Sequence, residues 1–413
     1  MGHPGRTLKQ VAQPDEILTH APATCSNCGK SLKRVRATGC VRRQVFDIKD
    51  GRMHVTEHRA LLICCPLCEA TTKAKFPTGI RAPMQYGSAV LCRATYLHLY
   101  QLLPINRTSE TMRDLFGCTI SLATIQRASR FCSGKLVRCE QRIKAAIRDS
   151  AVIGADETGL RVAGSNSWIH VARTDRWTHF VYDERRGKAA MIEIGILPQF
   201  RGTLVRDGYL SYSRFEQCRH SLCNAHLLRE LVFVEEMNHQ QQVWSTPLAQ
   251  LLLKIKEAAS QAQAKGEPQV ELSAQRAWLR RYDRLVKKAA QLNPPVARRK
   301  RQPGAPKKKR ITQPTARGIV ERLQKRRDQI LRFMTDLAVP FDNNGSERDL
   351  RMIKLQQKIS ACFRTPDGAR SFCRVRSYLS TARKQGHSLL CALERALAGK
   401  PLTFQAIELA STS

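Results

Sequence analysis

Apolar positions along this chain change their period several times, and each change marks a new kind of element. The first two dozen residues are polar with scattered Pro and Gly, and read as an arm. Residues 44–48 (QVFDI) and 54–64 (HVTEHRALLIC) then show strand-like apolar content. From about residue 83 to 148 apolar residues recur at three- and four-residue spacing, predicting helices. Within it, YLHLYQLLP ends at a proline, a natural helix stop. After residue 151 come short runs rich in β-branched and aromatic residues: VIGAD, WIHVART, HFVYDE and TLVRD. They are separated by turn chemistry such as GSNS and ERRG. Helical patterning resumes in NAHLLRELVFVEEM and continues through LAQLLLKIKEAASQAQ and AWLRRYDRLVKKAAQL. The segment 294–310, PPVARRKRQPGAPKKKR, breaks the pattern with eight basic residues and reads as a mobile, solvated loop, of the kind that serves either nuclear localisation or contact with a polyanion such as DNA. A last helical portion starts near residue 315 and is interrupted at VPFDNNGSER.

A chain of 413 residues has room for two or more domains, and 42 % apolar residues fit globular protein rather than disorder throughout. The net charge of +36 changes the picture more. Such an excess of Lys and Arg repels itself unless a polyanion neutralises it, and nucleic acid is the usual one. A merely solvated basic protein is the bland alternative. No stretch approaches the roughly 20 apolar residues of a membrane span, and the N-terminus lacks the apolar run of a signal peptide. The 15 Cys, an odd number, are expected as reduced thiols in a cytoplasm, some of them binding metal.

Cys25-x-x-Cys28 and Cys65-x-x-Cys68 form two knuckles with a hairpin-sized insert between them. Four thiolates brought together this way satisfy tetrahedral Zn(II), predicting a structural zinc ribbon. Cys64 is an adjacent thiol and could stand in for Cys65. Lys30, Lys33, Arg34 and Arg36 are placed to face nucleic acid. Beyond the ribbon, residues 106–130 read as helix, turn, helix, with Gly117 at the turn and Ser121 or Thr124 as a cap. Gln126, Arg127 and Arg130 would lie on a recognition helix, or the helix is one that only packs between domains.

Three acids stand out against the basic background. Asp156 and Asp207 each follow an apolar run, and Glu347 lies in the first turns of a helix. Strand-borne Asp, strand-end Asp and helix-borne Glu is how a ribonuclease-H-like fold gathers carboxylates around two divalent ions. Phosphodiester chemistry needs an activated nucleophile and a stabilised leaving oxygen, which two Mg(II) ions supply, and hard cations need oxygen donors. Glu157 rivals Asp156, but strand alternation sends the two to opposite faces, so only one joins the site. Asp342 is a lesser rival to Glu347; it or Asn343 reads as helix-capping. Cys223 and His226 in CNAH follow the second acid closely, and either support the site, bind a metal or are structural.

DETGLRV, VRDGYLSY, CNAHLLREL and DNNGSERDLRMIKLQQKISACFR, in this order behind the paired C-x-x-C knuckles, resemble the transposases of the insertion-sequence 66 family. RSYLSTARKQG resembles the family's C-terminal pattern, and the likeness spans nearly the whole chain. It implies a DDE enzyme that cleaves transposon ends and transfers the 3′-hydroxyl to target DNA with Mg(II) or Mn(II). Asp156, Asp207 and Glu347 take the three acid positions, as catalytic residues and as ligands of the magnesium. The implied partners are transposon-end and target DNA, further copies of the chain in a synaptic complex, and accessory proteins of the same element, with no membrane. A bacterial, cytoplasmic, nucleoid-associated protein is expected. The family's usual additional N-terminal region is absent before GHPGRTLKQV, so a truncated, non-catalytic DNA-binding repressor is the alternative, and a nuclease that cuts without joining is a third reading.

The expected architecture is multidomain α/β. It comprises an arm (1–22), a zinc ribbon (23–72), a helix-turn-helix-like segment (73–148) and the first part of a ribonuclease-H-like catalytic core (149–240). A helical insertion with the basic loop (241–330) and the closing helices of the core (331–413) follow.

Overall fold

The computed structural model describes residues 8–49, 51–295 and 315–404. The expected basic loop falls, from residue 296 onward, outside the described residues, as does the start of the arm. The chain is mixed α/β and divides into two compact units, residues 1–141 with 356–413, and residues 142–355.

In the first unit, strands β1 (Glu16–His20), β2 (Gly39–Lys49), β3 (Arg52–Cys64), β4 (Thr71–Lys73) and β5 (Met84–Tyr86) form one sheet. Its order is β1-β3-β2-β5, with β4 also on β3. The long β2–β3 hairpin is antiparallel from Gly39↔Leu62 to Lys49↔Arg52. Alternation buries Phe46 and Ile48 on one strand and Val55 and Ile63 on the other. Helix α1 (Ser88–Thr95) runs into a π-helical turn, Tyr96–Tyr100, and is followed by α2 (Ile105–Phe116) and α3 (Leu122–Lys135). Pro104 stands at the head of α2, where a missing N–H costs nothing. Gly117 ends that helix at φ 64°, a left-handed conformation with no penalty for glycine. Ser121 then caps α3 by accepting the Thr124 N–H. Gln126, Arg127 and Arg130 are exposed on α3.

The division between units falls within α4 (Val137–Arg148). The second unit is built on β6 (Val152–Val162), β7 (Ser165–Arg173), β8 (Thr178–Asp183), β9 (Thr203–Arg206) and β10 (Arg219–Leu222), in the order β10-β9-β6-β7-β8. The first three form an antiparallel meander. β9 joins β6 in parallel, and β10 joins β9 in parallel. The β6–β7 turn is the pair Ala163–Gly164, both at positive φ (48° and 80°), as a two-residue hairpin requires. Helix α5 (Lys188–Ile194) lies between β8 and β9 in the chain.

Helices α6 (Asn224–Met237), α7 (Ser245–Ala264), α8 (Leu272–Leu292), α9 (Ala316–Lys325) and α10 (Arg327–Thr335) follow. They share a core that includes Trp244, Leu252, Ile255, Tyr282, Ile319 and Met334. Helix α11 (Asn344–Ser360) spans the second division, and α12 (Pro366–Lys384) and α13 (Leu389–Leu397) belong to the first unit. Thr365 caps α12, with Pro366 in its first turn, and Ser388 caps α13. Among the described residues, no helix is long and apolar enough to cross a membrane.

Candidate active site

Asp156 lies in the middle of β6, opposite Val171 of β7. β6 and β9 run parallel with Val152 facing Thr203 and Gly154 facing Val205. Continuing that register brings Asp207, the first residue past β9, level with Asp156. Level residues on neighbouring strands share a face, with backbones about 4.8 Å apart. The turn carrying Asp207 is well braced. Its Oδ1 accepts the Tyr209 N–H at 2.9 Å, and its carbonyl accepts from the buried Arg206 guanidinium at 2.8 Å. Arg206 also reaches Ser213 and the His220 Nδ1, each at 3.1 Å. Burial, with Arg326 nearby, lowers the Arg206 guanidinium to about 10.

Helix α11 brings in the third acid. Asn343, just before the helix, donates its side-chain N–H to the Ala155 carbonyl (2.9 Å) and its backbone N–H to Cys223 Sγ (3.1 Å). Its Oδ1 accepts from Ser346 Oγ at 2.7 Å. Gly154 leaves the space for this: a Cβ there would lie 2.5 Å from Asn343 Oδ1 and 2.7 Å from Ser346 Oγ. The helix therefore starts against the face of β6 that carries Asp156, and Glu347 is the residue after Ser346. Asp342 has a different task, accepting the Asn344 N–H at 3.0 Å.

The Asp207 and Glu347 carboxylates both act on Asp156. Burial pushes the Asp156 carboxyl up to about 7. The Glu157 N–H opposes this by favouring the ionised form, while the Glu157, Asp207 and Glu347 carboxylates add to the rise. Carboxylates this near one another are costly unneutralised, and although the three do not all bring an oxygen within 4.8 Å of the others, their donors are all hard oxygens. The trio therefore fits divalent Mg(II) or Mn(II) on the chemistry of its donor set.

Glu157 points the other way, as strand alternation requires. Its carboxylate accepts from Tyr212 OH at 2.5 Å and from Arg186 Nε at 2.9 Å, and is 8 % exposed. Arg186 in turn lies over the rings of Trp168 and Tyr209. Glu157 is thus committed to the interior.

At the opposite edge, Glu347 is bracketed by α6. Arg229 donates to both its oxygens at 3.2 Å, and His226 Nδ1 lies 3.5 Å from Oε1. Arg229 went unnoticed in the sequence, although its place three residues after His226 puts both on one helix face. Gly154 and Arg206 carried no signal in the sequence, and Asn343, read there as a possible helix cap, gains its bridge to Ala155 only from the packing of α11 on β6.

In the first unit, Cys25, Cys28, Cys65 and Cys68 bring their sulfurs within 4.8 Å of one another. The Cys25–Cys68 and Cys28–Cys65 pairs are each at 3.5 Å. A tetrahedron with Zn–S bonds of about 2.3 Å has edges of about 3.8 Å, so the cluster is compatible with structural zinc. Each knuckle closes through a positive-φ residue, Gly29 (72°) and Glu69 (57°). Backbone N–H groups of Cys28 and Asn27 lower the Cys25 thiol to about 6. Cys28 moves up to about 12, the Lys30 N–H being outweighed by protons shared with Cys68 and Cys65. Cys64 turns instead to the Glu69 carbonyl at 3.2 Å, leaving Cys65 in the cluster.

A model of the transposase IS66 family matches residues 83–371, well over half of the chain. The chain belongs to that family. No curated protein matches it. A transposase role, with the DNA binding it entails, follows from membership. The match includes the three acids, Cys223 and His226, whereas the four clustered cysteines of this transposase precede it.

Proposed function

We propose that this transposase is a DDE enzyme, cleaving transposon-end DNA and joining the freed 3′-hydroxyl to target DNA, with Asp156, Asp207 and Glu347 as its catalytic acids. What supports the reading is that the elements carrying these acids converge: β9 runs parallel beside β6, α11 is pinned to β6 through Asn343, and the Asp207 and Glu347 carboxylates both act electrostatically on Asp156. The mixed sheet supports a ribonuclease-H-like core. Its first acid is borne on the central strand, its second ends the parallel neighbour, and its third arrives on a helix pinned to the first. On this reading residues 149–240 and 331–355 form the core, 241–330 a helical insertion, 73–148 a helical DNA-contacting segment and 23–72 a zinc ribbon held by Cys25, Cys28, Cys65 and Cys68, while 356–413, expected to close the core, fall in the first unit.

Two bound divalent ions would activate the attacking oxygen and stabilise the leaving one. The protein's part is positioning. Asp156 presents its oxygens from a backbone fixed by sheet hydrogen bonds, Asp207 from a turn braced by Tyr209 and Arg206, and Glu347 is aimed by the Asn343 bridge. Burial and the neighbouring acids raise the Asp156 carboxyl, so a bound cation would favour its ionised form. Arg229, exposed beside Glu347, is placed to meet a DNA phosphate.

The test is strand cleavage and joining on end-labelled DNA carrying the element's termini, with Mg(II) or Mn(II), comparing the natural protein with Asp207→Asn at matched DNA binding. Loss of both activities in the variant alone supports the reading. If both proteins bind and neither cuts, even with the element's accessory proteins, a non-catalytic DNA-binding repressor is the better description. Cleavage without joining would make it a nuclease.

A further inference from the structure

The CNAH motif remains without a role in that chemistry, and the structure gives it a specific surrounding. Cys223 is the single residue between β10 and α6 and stands at the N-cap position of α6, with 3 % of its surface exposed. Three backbone N–H groups face its sulfur: Asn343, at 3.1 Å, and those of Ala225 and His226 in the first turn of the helix. Burial pushes this thiol up and the three N–H donors offset that only in part, but they supply the hydrogen bonds that a metal-bound thiolate would accept. One helical turn on, His226 has a buried Nδ1 that makes no hydrogen bond, a costly arrangement for a ring nitrogen unless something else meets it. The Glu347 carboxylate completes the group. Donor atoms of Cys223, His226 and Glu347 all lie within 4.8 Å of one another.

We infer that Cys223, His226 and Glu347 form a transition-metal site, distinct from the Cys25/Cys28/Cys65/Cys68 cluster, that takes Zn(II) on sulfur, nitrogen and oxygen donors with a fourth position open. The geometry is close to what such an ion needs. With bonds of about 2.3 Å to sulfur and about 2.0–2.2 Å to nitrogen and oxygen, the edges of a tetrahedral site are about 3.4–3.6 Å. The His226–Glu347 edge is already 3.5 Å. The sulfur edges close by about 1.3 Å at most, within reach of a side-chain rotation on Glu347 or His226. Mixed soft and hard donors favour Zn(II) over Mg(II), which would reject a thiolate. Arg229 competes for Glu347, but a carboxylate has lone pairs for both, and 61 % of the Arg229 side chain is exposed and free to swing away.

The site does not require the carboxylate trio to be catalytic. If that trio is catalytic, Glu347 belongs to two sites, and Zn(II) at one would draw it from the other. Three protein donors with one open position is also the arrangement that admits water or a phosphate oxygen.

The test counts metal rather than turnover. The full chain, stripped and reloaded with Zn(II), is expected to hold two ions per chain, and one after Cys223→Ser or His226→Ala. Protein carrying zinc only in the four-cysteine cluster, titrated with Co(II), should develop a thiolate-to-metal charge-transfer band that Cys223→Ser abolishes. His226→Ala, on a partly exposed side chain, should weaken Co(II) binding by more than the ten- to hundredfold, roughly, that loss of a ligand's supporting partner costs. Arg229→Ala should tighten it. Circular dichroism of each variant establishes that the fold is kept. One zinc per chain in the natural protein, or Co(II) spectra identical in the natural protein and a folded His226→Ala variant, would overturn the inference. Neither result bears on strand cleavage, so the proposed catalytic function stands or falls separately.

Discussion

Asp156 and Glu157 are neighbours with the same chemistry and opposite fates, and two substitutions should separate them. Glu157 is held by Tyr212 and Arg186, so Glu157→Ala strands a buried hydroxyl and a guanidinium. It should lower unfolding free energy by about 1–3 kcal/mol in urea titrations. Asp156→Asn removes a carboxyl that burial and three like charges disfavour, and should leave the metal-free protein as stable or more so. The pH dependence follows from the same group. Its folded value, about 7, lies above the ordinary 3.8, so between these values the folded protein holds more protons than the unfolded chain. This carboxyl's contribution to metal-free stability is therefore full below about 4 and lost as pH rises through about 7. A cation competes with that proton. Mg(II) affinity, measured by calorimetry, should rise between about pH 6 and about pH 8, and the rise should disappear in Asp156→Asn.

At the scale of elements, the site depends on how α11 meets β6. Gly154→Ala places a methyl inside the Asn343–Ser346 contact and should cost about 1–3 kcal/mol, as overpacking does. Because the displaced helix carries Glu347, strand cleavage should fall further than DNA binding, which a gel assay of both would show. Local signals in the chain account for many of the elements themselves. QVFDI and HVTEHRALLIC lie within β2 and β3, Gly117 and Ser121 bound α2 and α3, and the four β-rich runs after residue 151 lie on or beside β6 to β9. The long YLHLYQLLP stretch was less transparent. It continues α1 as a π-helical turn before Pro104, a hydrogen-bond shift that apolar spacing does not encode.

For the whole molecule, charge and metal set the expectations. With +36 net charge, DNA affinity should fall by at least about a thousandfold between about 50 and 200 mM salt, measured by fluorescence anisotropy. The four-cysteine cluster has only a small apolar group around it, Leu32 and Ile63 with the cysteines. A core of that size depends on its cross-link, so chelation should unfold this segment and Cys25→Ser should mimic it, seen as fast amide exchange in residues 23–72.

The sequence alone determined what is local or additive. Charge came from counting, strands and helices from periodicity, the cysteine knuckles from spacing, and the family from motifs that keep their order. It also separated Asp156 from Glu157, because alternation along a strand is a local rule. Tertiary structure decided what depends on register and contact. The parallel pairing of β6 with β9 makes Asp156 and Asp207 level across 51 residues of chain, and the Asn343 bridge to Ala155 spans 188. It also turned Cys65 rather than Cys64 into the thiol cluster, and set Cys223 and His226 against Glu347. Those are meetings between elements distant in the chain, and no pattern along one strand or helix can specify what stands opposite it.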